Sequence, residues 1–257
     1  MTTQNYFFSH MRQEYEKYTA EDFEVWRILF ESQMKALPGK ATQEFLDGIE
    51  RVGFVAERIP NFDEVNERLK KYTGWRIYVV PGLLPNKEFF ELMRDGNFCA
   101  TTWLRRKDQL DYLQEPDMFH DVFGHVPLLT NKPLCNFLEN LSTIALEYIE
   151  SEVAIELIAR LYWYTVEFGL IQEPQGLRIY GAGILSSSGE TDYSLYSDIP
   201  QRVPFNVAEI LDTPYIKDRY QSKYFVIDSF EQLYSSVPEI ARLVKQAVEE
   251  NKEVVIS

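Results

Sequence analysis

The sequence has little of what would mark a secreted, membrane-embedded or nucleic-acid-binding chain. Only 2 of its 257 residues are cysteine. Cys99 and Cys135 show no CxxC or ladder spacing. A disulfide framework is therefore excluded, and the two read as buried thiols in a reducing compartment. No apolar run approaches the length of a membrane span, and Met1–Tyr6 offers no basic stretch followed by an apolar one. A soluble, cytoplasmic protein with no membrane attachment is expected. Positive charge is scarce: 26 Lys and Arg face 40 Asp and Glu, a formal net charge of -14. The densest basic cluster is Arg105-Arg106-Lys107, which disfavours nucleic acid and anionic surfaces as partners. Histidine is nearly absent too, with only His10, His120 and His125. There is no internal repeat, low-complexity segment or linker-like stretch.

Aromatic residues are abundant, with 17 Phe and 16 Tyr. They suit an aromatic-rich core and equally a pocket for a flat ligand. At this length one large domain is the simplest architecture, mainly α with small β-strand pairs. Residues 1–18 are polar and aromatic with weak periodicity, an N-terminal arm lying on a domain of residues 19–257.

Thr19–Asp22 has the T-x-x-D form of a helix start, and Phe23, Trp26, Leu29 and Phe30 recur at helical spacing until Pro38-Gly39. A second helix runs through Phe45, Ile49 and Val52. Asn61 caps a third, from Phe62 to Lys71, ended by Thr73-Gly74. Trp75–Val80 reads as a strand, Lys87–Met93 as a short helix and Phe98–Leu104 as β-prone. Pro133–Ile149 and Glu152–Ile171 read as two long helices. Leu177–Tyr180 is a strand leading into a glycine- and serine-rich loop, Gly181-Ala182-Gly183 to Ser186-Ser187-Ser188-Gly189, where backbone can approach something closely. Val207–Leu211 is a helical turn and Tyr224–Ile227 a strand. Ser229-Phe230-Glu231-Gln232 has capping-box form for a last helix ending near Glu249.

His120 and His125 lie five residues apart, inside Glu115-Pro116-Asp117-Met118-Phe119-His120-Asp121-Val122-Phe123-Gly124-His125-Val126-Pro127. On an ideal α-helix they would point about 140° apart. If the helix stops at Gly124, with Pro127 preventing its continuation, His125 can turn back toward His120 as a helix-end clamp. The alternative is two unrelated histidines. His10, in the polar arm, reads as a surface histidine.

A third ligand is on offer at Glu167, the only acid in Leu157–Ile171. A buried carboxylate needs a partner. Arg160, two turns back on the same face, could supply a salt bridge, and a metal would also satisfy it. Two imidazoles and a carboxylate suit a non-haem Fe(II) site with open positions. They also suit catalytic Zn²⁺, although Asp121 is an imperfect substitute for the general-base Glu of a zinc hydrolase.

Three motifs carry a resemblance. Glu115-Pro116-Asp117-x-x-His120-Asp121-x-x-Gly124-His125-Val126-Pro127, Tyr162-Trp163-Tyr164-Thr165-Val166-Glu167-Phe168-Gly169 and Tyr180-Gly181-Ala182-Gly183-Ile184-Leu185-Ser186-Ser187 occur in this order. Together they resemble the pterin-dependent aromatic amino acid hydroxylases, from about Thr73 to Val226 and more loosely back to Trp26. The length and the Tyr112–Asp121 wording are similar to the bacterial members that hydroxylate phenylalanine. The resemblance implies the family's catalytic-domain fold, a single Fe(II) on His120, His125 and Glu167, O₂, and a tetrahydropterin (tetrahydrobiopterin or a bacterial analogue) as cosubstrate. It implies conversion of L-phenylalanine to L-tyrosine, with tryptophan or tyrosine as the alternative substrate. Arg105 matches the arginine that grips the amino acid carboxylate. Trp163 and Ser186 match residues near the substrate, and Gly183 a glycine of close backbone approach. Phe89 matches the aromatic that stacks on the pterin, with Leu84 near it. Asp121 stands where animal members have Glu and would meet the pterin through water. Tyr162 matches a tyrosine near the iron with a secondary catalytic part. Leu113 departs from a threonine of the animal members, so contacts to the substrate's polar end differ in detail. The animal members' regulatory domain and coiled-coil tail have no counterpart in the sequence, so a monomer is expected.

Overall fold

In the computed structural model, which describes residues 11–110, 116–187 and 189–257, Thr19 opens the first helix as its spacing predicts. Its hydroxyl accepts from the Asp22 N–H while the Asp22 carboxylate accepts from the Thr19 N–H, a reciprocal cap. Helix α1 spans Ala20–Ala36 and α2 spans Gln43–Val52. Helix α3, Phe62–Tyr72, is capped by the Asn61 side chain on two backbone N–H groups. Strand β1 (Arg76–Val79) pairs in parallel with β2 (Asn97–Ala100), and helix α4 (Asn86–Arg94) makes the crossover between them. The helices and β1 lie within a residue or two of expectation, because each is announced by a local cap, turn or alternation, whereas β2 stops at Ala100, four residues short of the expected Leu104.

Residues 15–17 form a single 3₁₀ turn, and the hydroxyls of Tyr15 and Tyr18 donate to the Ile59 and Thr102 carbonyls, tying the arm down. The later chain departs from expectation in ways that matter for the site. The segment Phe119–His125 does not end as a helix at Gly124. It is a π-helical turn that runs straight into a 3₁₀ helix, Val126–Thr130, with Pro127 in its first turn. Gly124 is no cap either; it permits contact, since a Cβ there would meet the Ala182 carbonyl oxygen at 3.0 Å.

Helix α5 spans Lys132–Glu147. The helix expected to reach Ile171 is shorter. Helix α6 ends at Tyr162, a second π-helical turn covers Trp163–Glu167, and Leu170–Glu173 is strand β3. Strand β4 (Gly176–Ile179) pairs antiparallel with β3. Beyond it, the expected loop instead contains a helical turn, α7 (Ala182–Leu185), and then helix α8 (Glu190–Tyr196). Strand β5 (Gln201–Pro204) precedes α9 (Val207–Asp212), and β6 (Lys223–Ile227) runs parallel to both β3 and β5. The strands thus form one pair and one four-stranded sheet of order β4-β3-β6-β5. The single terminal helix is two, α10 (Phe230–Ser235) and α11 (Val237–Glu249). Pro238 lacks the N–H that would continue the helix across Ser236. Ser229 does cap α10, but the Gln232 side chain turns to the Asp228 N–H and not to Ser229.

A cluster of five aromatic rings packs behind the first π turn. Phe119 and Phe123 stack at 4.7 Å, and Trp26, Phe30 and Phe45 meet them edge-on at 5.6–5.7 Å. Each such pair adds about 0.5–1.5 kcal/mol beyond burial. Cys135 is buried and Cys99 partly so, both as free thiols, and burial raises both thiol pKa values, Cys99 to about 12.

Arg160 is committed away from Glu167. It bonds Glu156 at 2.9 Å, the Leu211 carbonyl at 2.7 Å and the Val255 carbonyl. Both members of this pair are buried. Arg160→Ala would leave the buried Glu156 charge with only the Ser257 N–H and hydroxyl, at 3.2 and 2.7 Å, and no cation, so a loss of about 3–5 kcal/mol is expected in urea unfolding. A loss below about 1 kcal/mol, the value of an exposed pair, would show that the pair is not anchoring α6.

Candidate metal centre

The sequence presents His120, His125 and Glu167 on two turns of the same unusual kind. A π turn bonds residue i to residue i+5, so side chains five apart come to the same side. That is what the α-helical spacing of the two histidines denied. In the second turn the Phe168 N–H bonds to the Trp163 carbonyl at 2.9 Å, the i to i+5 bond itself. The Thr165 hydroxyl donates back to the Leu161 carbonyl where α6 gives way to that turn, a bond that bends helices.

The two turns meet face to face. His125 Nε2 lies 3.2 Å from Glu167 Oε1, and His120 Nε2 lies 3.6 Å from Glu167 Oε2. One ligand atom from each residue falls within 4.8 Å of the others. The imidazoles stand nearly perpendicular, at 85°, and Phe98 lies against His125 at 4.7 Å. Among the described residues no other group of three His, Cys, Asp or Glu side chains gathers in this way. The Glu167 side chain is only 14% exposed, which leaves little water to solvate its charge. Burial works to raise its pKa, but His125, by charge and hydrogen bond, and His120 outweigh that and hold it below the usual carboxylate range. The donors suit a divalent ion: two nitrogens and one oxygen on one side, with coordination positions left over.

The geometry gives Ser186 a definite task. Its hydroxyl donates to the Ala182 carbonyl at 2.8 Å and lies 2.9 Å from His120 Nδ1. With its proton already given to a carbonyl, the hydroxyl accepts from Nδ1–H. That fixes the tautomer in which Nε2, facing Glu167, carries the lone pair. Gly183 and Gly181 let this segment sit on the Glu167 turn: a Cβ at Gly181 would lie 2.4 Å from the Glu167 carbonyl oxygen, and one at Gly183 2.8 Å from the Phe168 ring.

Arg105, Asp121, Tyr162, Trp163 and Phe89 lie on the same two turns or against residues that flank them. The Arg105 guanidinium is held flat by Asp117, Nε to Oδ2 and Nη2 to Oδ1, both at 2.9 Å. Asp117 also accepts from the His120 N–H at 3.2 Å. One fully buried carboxylate thus ties the arginine to the first ligand. Asp121 accepts from the Thr101 N–H and hydroxyl at 2.9 Å each. Burial pushes its carboxyl above the usual range, against the lowering influence of His120 and Thr101. Tyr162 lies edge-on to Phe89 at 6.0 Å, and its phenol pKa is raised by burial and by Glu167. Leu84 is half-buried in the irregular stretch before α4, the helix that carries Phe89. Trp163 opens the second π turn, flanked by Phe168 and Tyr215 at 4.6 Å each. His10 and Leu113 lie outside the described residues.

Asp117 and Thr101 were not singled out from the sequence. Asp117 stands three residues before His120, a spacing that suits a side chain bonding a backbone N–H. Nothing local marks Thr101, which meets Asp121 only through the fold. Ser186→Ala removes the acceptor for His120 Nδ1–H. It is expected to weaken Fe(II) or Zn(II) binding about 10–100-fold in an equilibrium titration while leaving metal-free thermal stability nearly unchanged. Unaltered affinity would mean that the tautomer is set by something else.

Comparison with known proteins agrees with this geometry. The family model for biopterin-dependent aromatic amino acid hydroxylases matches residues 5–253. Phenylalanine-4-hydroxylase of Ralstonia nicotianae is 50% identical over 226 residues, 88% of this chain and 72% of that protein. The Chromobacterium violaceum enzyme of the same name is 49% identical over 232 residues, 90% of this chain and 78% of its own. A crystal structure of the C. violaceum enzyme with bound oxidised Fe(III) superposes with a TM-score of 0.89 at 49% identity, covering 93% of this chain and 87% of that one. Another, with iron(III) and 7,8-dihydrobiopterin, gives 0.87 at 48% identity, covering 93% and 86%. A match over nearly the whole length, with the three ligand residues already converged in space, shows that the chain belongs to the biopterin-dependent aromatic amino acid hydroxylases.

Proposed function

We propose that this chain is a phenylalanine 4-monooxygenase, converting L-phenylalanine and O₂ to L-tyrosine with a tetrahydropterin as the two-electron cosubstrate. The observation that carries it is the convergence of His120, His125 and Glu167 within 4.8 Å in a nearly dry setting. These three hold Fe(II), with no further protein ligand required. Bound there, the iron with the pterin supplies activation of O₂, one atom of which enters the ring. The names of the relatives from Ralstonia and Chromobacterium favour phenylalanine over tryptophan or tyrosine.

The chain's own residues bind, orient and exclude water. Arg105, its plane fixed by Asp117, presents a guanidinium fork for the substrate carboxylate. Trp163, Gly183 and Ser186 border the amino acid. Phe89 stacks on the pterin, with Leu84 beside it and Asp121 bonding it through water. Tyr162, its phenol kept protonated by burial near Glu167, offers a hydroxyl and not a phenolate to the site. Residues 19–257 make up the catalytic domain and residues 1–18 the arm. The two unpaired thiols support a cytoplasmic setting, and no helix among the described residues is long and apolar enough to cross a membrane. A monomer completes the reading.

Purified protein supplied with Fe(II), a tetrahydropterin, O₂ and phenylalanine is expected to form tyrosine in step with pterin oxidation. Absence of turnover on every aromatic amino acid would sink the proposal. Glu167→Ala removes the only anionic ligand and should lower iron affinity and abolish turnover; wild-type iron affinity would take Glu167 out of the site.

A further inference from the structure

Gln221 is a polar side chain in a place where polarity needs a reason. It is only 2% exposed, and the chemistry described so far does not use it. Its Oε1 accepts from the Trp163 indole Nε1–H at 3.1 Å, and its Nε2 donates to the Ile216 carbonyl at 2.9 Å. Those two bonds leave one orientation of the amide. Flipped, it would set NH₂ against the indole N–H and one carbonyl against another. The backbone at Gln221 is held as well: its N–H lies 3.4 Å from Glu190 Oε1, which also accepts from the Tyr224 hydroxyl at 2.6 Å. Glu190 begins α8, just past Ser186 and Ser187.

The segment between Pro214 and Gln221 thus closes on Trp163 from two directions. Tyr215 stacks on the indole at 4.6 Å and 26°, and Gln221 holds its N–H. Trp163 is also the first residue of the turn that ends in Glu167. A tilt of the indole would change the wall it presents without moving the metal ligands, because the backbone of the Glu167 turn is held separately, by the Phe168 N–H on the Trp163 carbonyl and by packing on Gly181.

We propose that Gln221 is a positioning residue for the amino acid substrate: it sets the tilt of the Trp163 indole through the Nε1 bond, and so sets affinity and selectivity for phenylalanine. This rests on the reading that Trp163 borders the amino acid. Losing a buried bond of this kind is worth about five- to tenfold in an equilibrium.

The test is a double-mutant cycle. Gln221→Met keeps length and removes both bonds. It is expected to raise KM for phenylalanine about five- to tenfold and to narrow the preference for phenylalanine over tryptophan. The KM for the pterin, the iron affinity and kcat should stay near wild type. Phenylalanine Kd by calorimetry should move with KM, a readout independent of turnover. In a Trp163→Phe background, which has no indole N–H, the same substitution should add little. An unchanged phenylalanine KM and Kd in Gln221→Met, or an equal increase in both backgrounds, overturns the inference. If Trp163→Phe itself leaves phenylalanine binding unchanged, the placement of Trp163 at the substrate fails and the inference with it. A raised KM in Trp163→Phe alone refutes only the role of Gln221. Should Gln221→Met not fold, NMR of the wild-type indole N–H, assigned by its loss in Trp163→Phe, decides. Slow exchange and a shift on adding phenylalanine support the bond, and fast exchange with no shift overturns it.

Discussion

A carboxylate between two imidazoles, in a largely buried place, is the constraint around which this chain is built. Glu167 alone there would be costly, since a buried charge must find a partner or give up its proton. The obvious partner, Arg160, is spent on Glu156 and two backbone carbonyls. The imidazole nitrogens 3.2 and 3.6 Å away are left as its company. A divalent ion relieves the cost directly, because it matches the carboxylate's charge and accepts both nitrogen lone pairs. The same arrangement that keeps Glu167 ionised in the metal-free protein makes it a good receptor for a cation.

Holding that arrangement requires rigid supports that do not themselves fill the site. Two π-helical turns supply the ligands, and each is braced from behind. The first rests on a stack of Phe119, Phe123, Trp26, Phe30 and Phe45. The second is pulled into β3, whose Leu170 and Ile171 pair with Val226 and Ile227. The segment from Gly181 to Ser186 crosses between them. It bonds one ligand through Ser186 and packs bare backbone against the other turn at Gly181. Arg105, through Asp117, and Trp163, in the second turn, are held by these same supports.

Much of this was legible in the sequence where the signal is local. Thr19 and Asn61 announce their helices because a cap acts within three or four residues. Glu167 stands out because it is a lone acid in an apolar run. The π turns were not legible: an α turn and a π turn use the same residues and differ only in which carbonyl each N–H reaches. This is why the spacing of His120 and His125 suggested a helix ending at Gly124. Leu170 and Ile171 read as more helix because they continue that apolar run, while the partners that make them strand, Val226 and Ile227, lie far along the chain. Asp117 was within the motif, yet its double task, holding Arg105 and the His120 N–H, appears only when the chain is folded. Gln221 and Thr101 gave no signal, for each acts on a residue distant in sequence.

The central claim is that these three side chains, and no others, hold one iron. X-ray absorption at the iron edge of the Fe(II)-loaded protein tests it most directly, together with metal counting on the same sample. One iron per chain is expected, with two imidazole nitrogens and one carboxylate oxygen from the protein and the remaining positions taken by water. Sulfur in the first coordination sphere, or a shell lacking the two imidazoles, would contradict it.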